Sequence, residues 1–321
     1  MQVGLGEMKK YRYSVVLLTY NQQDYVKEAV EAVLAQDSDP IEILLSDDCS
    51  QDDTFEVMET LVADYTGPHS VVLNKNPQNL GVNKHIERCF ELSSGDVIIA
   101  ASGDDISLPG RIARTIEVFE RDDPLLSFSH GQVETLDGKP MPKTYAKATF
   151  YTRTDAMSAA CSMQLFLGAT CAWHKDLFRK YGPIQFADCY EDLVLGFRAA
   201  LEGRVAFIDE ELIIYRVGMG QTSTARRIAD AAAFRNKRLI EVGREIFLLR
   251  QRLADAQVFG LGEEDPIVKA MRRRLEERQL RRCYLEGGLR KLGISALKHP
   301  SWVLGFALSE RRRLKKALKT V

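Results

Sequence analysis

The chain has 321 residues, of which 45% are hydrophobic and 28% charged, and its formal net charge is −1 at pH 7. This composition is typical of a folded globular protein and excludes disordered, fibrous and small disulfide-stapled chains. No run of about 18 apolar residues occurs and the N-terminus lacks the apolar core of a secretory signal, so we expect neither a membrane span nor export by that route. The scattered cysteines show no metal-type spacing, and we expect a cytoplasmic location.

The first part of the chain alternates strand-like and helix-like segments. Residues 13–19 predict a strand, and 24–36 predict a helix because their valines recur on one helical face. Residues 41–45, 54–65 and 71–73 predict a strand, a helix and a strand in turn. We therefore expect consecutive β-α-β units.

The next segments continue this alternation. Residues 82–92 predict a helix, 96–101 a buried strand, and Pro109 the first turn of a helix that ends near residue 121. Because buried parallel strands between helices require helices on both faces, the sequence predicts a doubly wound, mainly parallel α/β sheet.

Beyond residue 128 the regularity weakens. We expect strands at 168–173, 204–208 and 212–215, and a helix at 191–201. The α/β domain is then predicted to cover residues 12–224, after an N-terminal tail of residues 1–11.

The C-terminal region, residues 225–321, is predicted to be helical and basic. Two basic runs, 272–282 and 311–319, flank the apolar stretch 299–308, a combination typical of a helix in the interface of an anionic membrane. We therefore expect peripheral membrane contact through 272–321. The alternative is a helical hairpin that packs on the α/β domain or on a second subunit, and an oligomer is compatible with the sequence. No nucleic-acid partner is expected, since no binding-module signature accompanies the charge.

Three acidic pairs stand near predicted strand ends: Asp47-Asp48, Asp104-Asp105 and Glu191-Asp192. In open α/β sheets ligands bind beyond the carboxyl ends of strands, so we expect the chemistry there. The alternative for each pair is a helix cap or a turn. Carboxylate oxygens at Asp104-Asp105 suit Mn²⁺ or Mg²⁺, with the remaining ligands supplied by a nucleotide diphosphate.

Several motifs resemble a known family in order and spacing: Ser14–Asn21, Leu45–Thr54, Asn79–Gly81, Ser102–Asp105 with Pro109, Tyr190–Asp192 and Tyr215–Arg216. Over residues 12–224 the sequence resembles family 2 glycosyltransferases of the bacterial surface-polysaccharide type. The resemblance implies a GT-A fold, Rossmann-like with a doubly wound and mainly parallel sheet, followed here by the basic helical extension.

The resemblance also implies a donor site of three loops: Thr19, Tyr20 and Asn21; Asp47 and Asp48; and Asn79, Gly81 and Lys84. Asp48 resembles the carboxylate that accepts a hydrogen bond from a uracil-type N3–H, with Asp47 as its structural neighbour. A UDP-sugar donor is therefore expected, with dTDP as the alternative base. For Asn79–Gly81 a plain turn before a helix is the other interpretation.

For the metal, Asp104 corresponds to the last Asp of the family's DxD motif, with Asp105 beside it. Ser102 stands where the family's first Asp usually lies, which puts the ribose contact in doubt. Many relatives carry a His just after Tyr215-Arg216, whereas this chain has Val217–Gly220, so a third protein ligand is unassigned.

For catalysis, Asp192 resembles the general base of an inverting transfer, with Glu191 next to it; the alternative for Asp192 is a helix N-cap. No Gln-x-x-Arg-Trp motif is present, so transfer of a single sugar is expected. The acceptor is predicted to be a glycan or a lipid-linked molecule of cell-surface polysaccharide biosynthesis, at the inner face of the cytoplasmic membrane.

Two other functions stay open at this stage. A sugar-phosphate nucleotidyltransferase shares the sheet and the metal but has a Gly-rich first loop, unlike Thr19–Asn21. A catalytically silent nucleotide-sugar binding or scaffold protein would be consistent with Ser102 and the missing His.

Overall fold

The computed structural model describes residues 12–186, 189–217, 230–292 and 299–319. These residues form an eight-stranded sheet of order β3-β2-β1-β4-β7-β6-β8-β5. The strands are β1 (Tyr13–Thr19), β2 (Glu42–Asp47), β3 (Ser70–Lys75), β4 (Val97–Ser102), β5 (Ile106–Ser107), β6 (Leu126–Thr135), β7 (Ala172–His174) and β8 (Val205–Val217). The first four are parallel, β7 is antiparallel to β4 and β6, β6 is parallel to β8, and β5 is antiparallel to β8.

Helices cover both faces of this sheet, which confirms the predicted doubly wound fold. They are α1 (Val26–Leu34), α2 (Thr54–Ala63), α3 (Val82–Leu92), α4 (Arg111–Asp122), α5 (Ala156–Ala160), α6 (Asp176–Tyr181), α7 (Glu191–Leu201), α8 (Ala231–Phe259), α9 (Pro266–Leu292) and α10 (Pro300–Lys319). Across the part of the chain that the structure describes, none of these helices is long and apolar enough to cross a bilayer.

The two cores follow from the alternation of side chains along each strand. In β1, Val15 and Leu17 face one core, formed with α1, α2 and α4, while Val16 faces the other, formed with α3, α6 and α7. Since both faces are buried, these strands are continuously apolar, which made them easy to predict.

Three predicted boundaries were wrong. Residues 168–173 form a short 3-10 turn, Gly168–Thr170, followed by the three-residue β7. The two strands expected at 204–208 and 212–215 are one strand, β8, which continues past exposed acidic residues through a register shift opposite His130. Pro109 lies before α4, because Gly110 takes a left-handed conformation (φ 80°) and the helix begins at Arg111.

Helices α8 and α9 pack directly on the α/β domain. Leu248 and Leu249 of α8 and Val268 of α9 belong to the same core as α7. Arg198 of α7 and Asp255 of α8 form a fully buried ion pair (Nε–Oδ2 3.0 Å). The alternative of a helical hairpin that packs on the α/β domain therefore applies to α8 and the first half of α9. The domain boundary at residue 224 lies outside the described residues and stays a prediction.

Candidate functional site

The loops that follow β1, β2, β3 and β4 are joined by backbone hydrogen bonds at one edge of the sheet. The Asp48 amide donates to the Thr19 carbonyl (3.0 Å), and the Asn76 amide donates to the Asp47 carbonyl (2.8 Å). The Gly103 amide donates to the Leu18 carbonyl (3.0 Å). The predicted donor and metal residues thus share one rigid edge, as expected for a ligand site of an open α/β sheet.

The first loop is shaped by Asn21, which has a left-handed backbone (φ 52°). Its side-chain oxygen accepts the Gln51 amide (2.8 Å), and its own amide donates to Ser50 Oγ (2.8 Å). Tyr20 is half-buried and Asn21 exposed, so both line the open side of the edge. A short polar side chain at this position is favoured because Asn tolerates left-handed backbone better than most residues.

Thr19 and Asp47, also predicted for the donor site, have fully buried side chains. Thr19 Oγ1 donates to Asp47 Oδ1 (3.1 Å), and Asp47 Oδ2 accepts the Ser50 amide (2.8 Å). The two side chains therefore stabilise the loop from its buried side, while their predicted place in the donor site stays a prediction.

Asp48 organises the loop after β3. Its Oδ1 accepts the Leu80 amide (2.8 Å) and its Oδ2 accepts the Gly81 amide (2.9 Å). Gly81 has a positive φ of 75°, which a side chain would strain. Asn79 and Lys84 are exposed around this loop, and Asp48 holds the backbone of Leu80 and Gly81 between them.

The turn after β4 carries two neighbouring buried carboxylates. Asp104 Oδ1 accepts a hydrogen bond from Ser102 Oγ, and Asp105 Oδ1 accepts the Arg216 amide (3.0 Å). Burial, followed by the charge of Asp104, raises the pKa of Asp105 to about 8. Ser102, the departure from the family pattern, therefore holds the carboxylate of Asp104.

The carboxylate oxygens of Asp104 and Asp105 are suitable ligands for a divalent cation. Within the described residues, the second oxygen of each carboxylate has no hydrogen-bond partner, and a cation would relieve the repulsion between the two charges. No cluster of three or more His, Cys, Asp or Glu that could hold a metal occurs in those residues. Further ligands would therefore come from phosphate or water. Residues 218–220, part of the segment considered for a third ligand, lie outside the described residues.

Gly103 lies where the turn after β4 approaches the loop after β1, and this close approach gives a testable prediction. A Cβ on Gly103 would lie 2.5 Å from Gln22 Oε1 and 2.8 Å from Thr19 Cγ2. We expect Gly103→Ala to lower the free energy of unfolding by about 1–3 kcal/mol, and to weaken nucleotide binding, as the first loop is displaced. Thermal unfolding and a UDP titration measure both effects.

The matched control for this prediction is Gly243→Ala in α8, where a Cβ meets nothing within 4 Å. This change should leave nucleotide binding intact and stabilise the helix by up to about 1 kcal/mol. Equal stability and equal UDP binding of the two variants would contradict a close approach between the turn after β4 and the loop after β1.

Glu191 and Asp192 form the first turn of α7, with half-buried side chains. Burial raises the pKa of both carboxyls, and the charge of Asp192 raises that of Glu191 further. Tyr190 is the N-cap residue, and Asp192 Oδ1 accepts the amide of the next residue, Leu193 (2.8 Å). Asp192 is therefore not the N-cap residue, although its carboxylate accepts a first-turn amide. The pKa of both carboxyls is raised, as is common for general acids and bases.

The Tyr215 side chain on β8 is influenced both by the turn after β4, which carries Asp104 and Asp105, and by α7. Burial raises its pKa to about 12, and the charges of Asp105, Asp104 and Asp192 add to the shift. The charges of both acidic pairs therefore act on the Tyr215 phenol.

The contacts around the two acidic pairs agree with this. A Cβ on Gly168 would lie 3.1 Å from Asp192 Oδ2. The next residue, Ala169, shares the Arg111 guanidinium with Ala100 of β4. The two acidic pairs thus belong to neighbouring parts of one region.

Two buried arginines of the site were missed from the sequence. Arg111 donates to the carbonyl oxygens of Ala100 and Ala169, beneath the turn after β4. Arg252 of α8 donates to the Leu193 carbonyl in the first turn of α7 (2.9 Å). The available signal was a cation on an apolar helical face: Arg252 lies three residues after Leu249 and four before Ala256.

Comparison with known proteins shows likeness in sequence. The sequence profile of glycosyl transferase family 2 matches residues 14–182, more than half of the chain. EpsE of Bacillus subtilis (strain 168), whose glycosyltransferase name is provisional, is 28% identical over 110 residues, which are 34% of this chain and 39% of EpsE. The chain thus spans about two fifths of that relative, and Glu191 and Asp192 lie beyond the profile match.

Two solved structures share the fold. S. aureus TarS 1-349 in complex with UDP-GlcNAc has a TM-score of 0.57 at 16% identity, over 96% of this chain and 92% of TarS. The mannosyltransferase PcManGT from Pyrobaculum calidifontis, in complex with GDP-Man and Mn²⁺, has a TM-score of 0.56 at 16% identity, over 97% of this chain and 85% of PcManGT. These matches agree with the fold class expected from the sequence.

Proposed function

The chain belongs to glycosyl transferase family 2 and is a glycosyltransferase; from this premise we propose that it transfers a single sugar, with inversion, from a nucleotide-diphosphate sugar to a hydroxyl acceptor. The observation that carries the proposal is the buried Asp104-Asp105 turn at the edge where the loops after β1, β2 and β3 lie, with Asp192 close enough that its charge adds to theirs in raising the pKa of Tyr215. This arrangement supports a diphosphate site at the turn and a proton acceptor at Asp192.

The donor is proposed to lie across the loops after β1, β2 and β3. The base, ribose and diphosphate would be faced by Tyr20, Asn21, Asn79 and Lys84. Asp48 would hold the loop after β3 in place through the amides of Leu80 and Gly81. UDP is the proposed nucleotide, with dTDP as the alternative, and TarS in complex with UDP-GlcNAc supports the first. PcManGT binds GDP-Man, so the base has to be measured.

In the proposed reaction the Asp192 carboxylate takes the proton of the acceptor hydroxyl. The acceptor oxygen attacks the anomeric carbon opposite the nucleotide, a new C–O bond forms, and the bond to the diphosphate breaks with its electron pair on phosphate. When bound by Asp104 and Asp105, Mn²⁺ or Mg²⁺ would neutralise charge on the departing diphosphate. Glu191 is proposed to stay protonated beside the base, since burial and the Asp192 charge raise its pKa.

Thermal stabilisation by a panel of nucleotide diphosphates and nucleotide sugars, each with Mn²⁺ and with EDTA, tests this proposal. Ligand at about 100 times its Kd raises the free energy of unfolding by about 2.7 kcal/mol. A metal-dependent shift with one diphosphate supports the proposal, and no shift with any nucleotide contradicts it. Release of pyrophosphate from nucleoside triphosphate and sugar phosphate would favour the nucleotidyltransferase. Binding without turnover would favour a silent scaffold.

We further propose that the acceptor is a glycan or a lipid-linked molecule of cell-surface polysaccharide biosynthesis, met at an anionic membrane surface. Three leucines beside a groove of about 320 Å³ are unusually exposed: Leu289 by 66%, Leu304 by 62% and Leu308 by 44%. Arg311 and Lys315 continue the exposed face of α10, while Glu310 is buried against Arg238 (2.8 Å). An apolar stripe followed by cations suits the headgroup region of anionic lipids.

This proposal predicts that Leu304→Ser with Leu308→Ser lowers binding to phosphatidylglycerol vesicles by roughly tenfold or more, because each loses burial of an apolar side chain. Vesicle co-sedimentation measures the effect. The matched control is Ile240→Ser, which changes an equally exposed apolar residue on α8. Unchanged sedimentation of the double variant would contradict membrane contact through α10.

A further inference from the structure

Residues 244–255 of α8 contact α7 from its N-cap residue, Tyr190, to its last turn. At the start, Arg244 Nη1 donates to the Tyr190 hydroxyl (3.0 Å), and its guanidinium lies 5.4 Å from the centre of the Tyr190 ring. At the end, Arg198 pairs with Asp255. Since the profile match ends at residue 182, neither helix belongs to the matched part of the chain.

Arg252 lies between these two contacts and is fully buried. Its Nη2 donates to the Leu193 carbonyl (2.9 Å), and its Nη1 donates to the carbonyls of Ser162 (2.7 Å) and Ala160 (3.2 Å). Leu193 is the residue whose amide donates to Asp192 Oδ1. The same residue therefore connects the guanidinium to the Asp192 carboxylate.

We propose that Arg252 is a positioning residue for Asp192, holding the first turn of α7 from α8; this inference rests on the proposed function. A fully buried guanidinium is costly unless its donors are satisfied, and here Nη1 and Nη2 join α8 to the first turn of α7 and to the carbonyls of Ala160 and Ser162. The C-terminal region thereby completes the catalytic site of the α/β domain.

The charge of Arg252 supports the geometric argument. Four ionisable groups interact electrostatically with Asp192: Glu191 on α7, Tyr215 on β8, Arg252 on α8 and Cys171, which lies just before β7. Arg252 is the cation among them, and it lowers the pKa of Asp192 against the effect of burial. Removing the charge of Arg252 should therefore raise the pKa of Asp192, so that this carboxyl stays protonated up to a higher pH.

The test compares Arg252→Lys with Arg252→Met in the full chain. UDP release is followed from pH 5 to 9 with UDP-glucose, UDP-galactose and UDP-GlcNAc in Mn²⁺, with water as acceptor. We expect Arg252→Met to lower kcat by about 10- to 100-fold, with KM for the UDP-sugar within about twofold. The acidic limb of its pH profile should move up by about half a unit or more, whereas Arg252→Lys keeps the wild-type limb.

The matched control is Arg278→Met, which removes another buried guanidinium, paired with Glu245 between α9 and α8. It should lower the melting temperature and leave the pH profile unchanged. A wild-type profile in Arg252→Met, or the same shift in the Lys and Met variants, would overturn the inference. If Arg252→Met does not fold, Arg252→Gln takes its place.

A second measurement separates this inference from the proposed function. Hydrogen exchange of the peptide that covers α7 should become faster in Arg252→Met than in Arg278→Met, whether or not turnover is seen. If the wild type releases no UDP from any donor, the proposed function fails and exchange alone decides the role of Arg252. Equal exchange in the two variants would refute that role.

Discussion

Asp192→Asn should lower kcat by about 10²–10⁴-fold, the contribution typical of a general base. The amide keeps the size of the side chain and the contact of Oδ1 with the Leu193 amide, but it cannot accept the acceptor's proton. KM for the donor should change little, because the donor loops lie on other elements. Initial rates with saturating donor, together with thermal shifts by UDP and Mn²⁺, separate the two effects.

The same variant should change stability in a pH-dependent way. Burial raises the pKa of Asp192 in the folded state to about 6, whereas the unfolded state releases this proton near pH 3.8. The wild type therefore loses stability as the pH rises from the unfolded pKa through the folded pKa. Asp192→Asn removes this loss, and we expect it to be the more stable protein at pH 7. Asp176→Asn, in the first turn of α6 on the surface, is the control. Retained transfer by Asp192→Asn would contradict the role of the base.

Asp104→Asn should lower kcat/KM by about 10²–10³-fold, since Lewis-acid stabilisation of a leaving group contributes several kcal/mol and each 1.36 kcal/mol is tenfold. The variant keeps an oxygen for the Ser102 hydroxyl but has a weaker, neutral ligand for the cation. The stabilisation that Mn²⁺ adds to UDP should disappear. Calorimetric titration of UDP with and without Mn²⁺ measures it.

Asp209→Asn is the control for this charge removal, because Asp209 is exposed on the same strand as Tyr215. It should bind UDP and Mn²⁺ as the wild type does. If Asp104→Asn also kept the metal-dependent part of UDP binding, the cation would have to be assigned to other residues.

The predictable part of the fold is the part whose signal is local. Strands β1, β2 and β4 are buried on both faces and therefore appear as uninterrupted apolar runs. The acidic turns after β2 and β4 could be located for the same reason, because each directly follows such a run. Their role as donor and metal sites stays a prediction.

The remainder depends on contacts between distant segments. The three residues of β7 form a strand only because β4 and β6 lie on either side of them. In β8 the acidic residues around Asp209 are typical of a turn, yet pairing with β6 carries the strand past them. Arg252 lies on an apolar helical face, but its carbonyl acceptors are Leu193 of α7 and Ala160 and Ser162, which lie far away in the sequence. No pattern within one segment contains such partners.

The buried pair of Arg198 with Asp255 has a consequence for synthesis on the ribosome. The helix that carries Asp192 emerges more than 50 residues before the carboxylate that neutralises Arg198. Until α8 has left the exit tunnel, α7 would have to bury an unmatched positive charge, which is unfavourable. The nascent α/β half should therefore wait in a partly docked state, and its final step should coincide with the arrival of α8. A ribosome stalled before residue 255 would then present the loops proposed for the donor before the helix that carries Asp192 is finally docked.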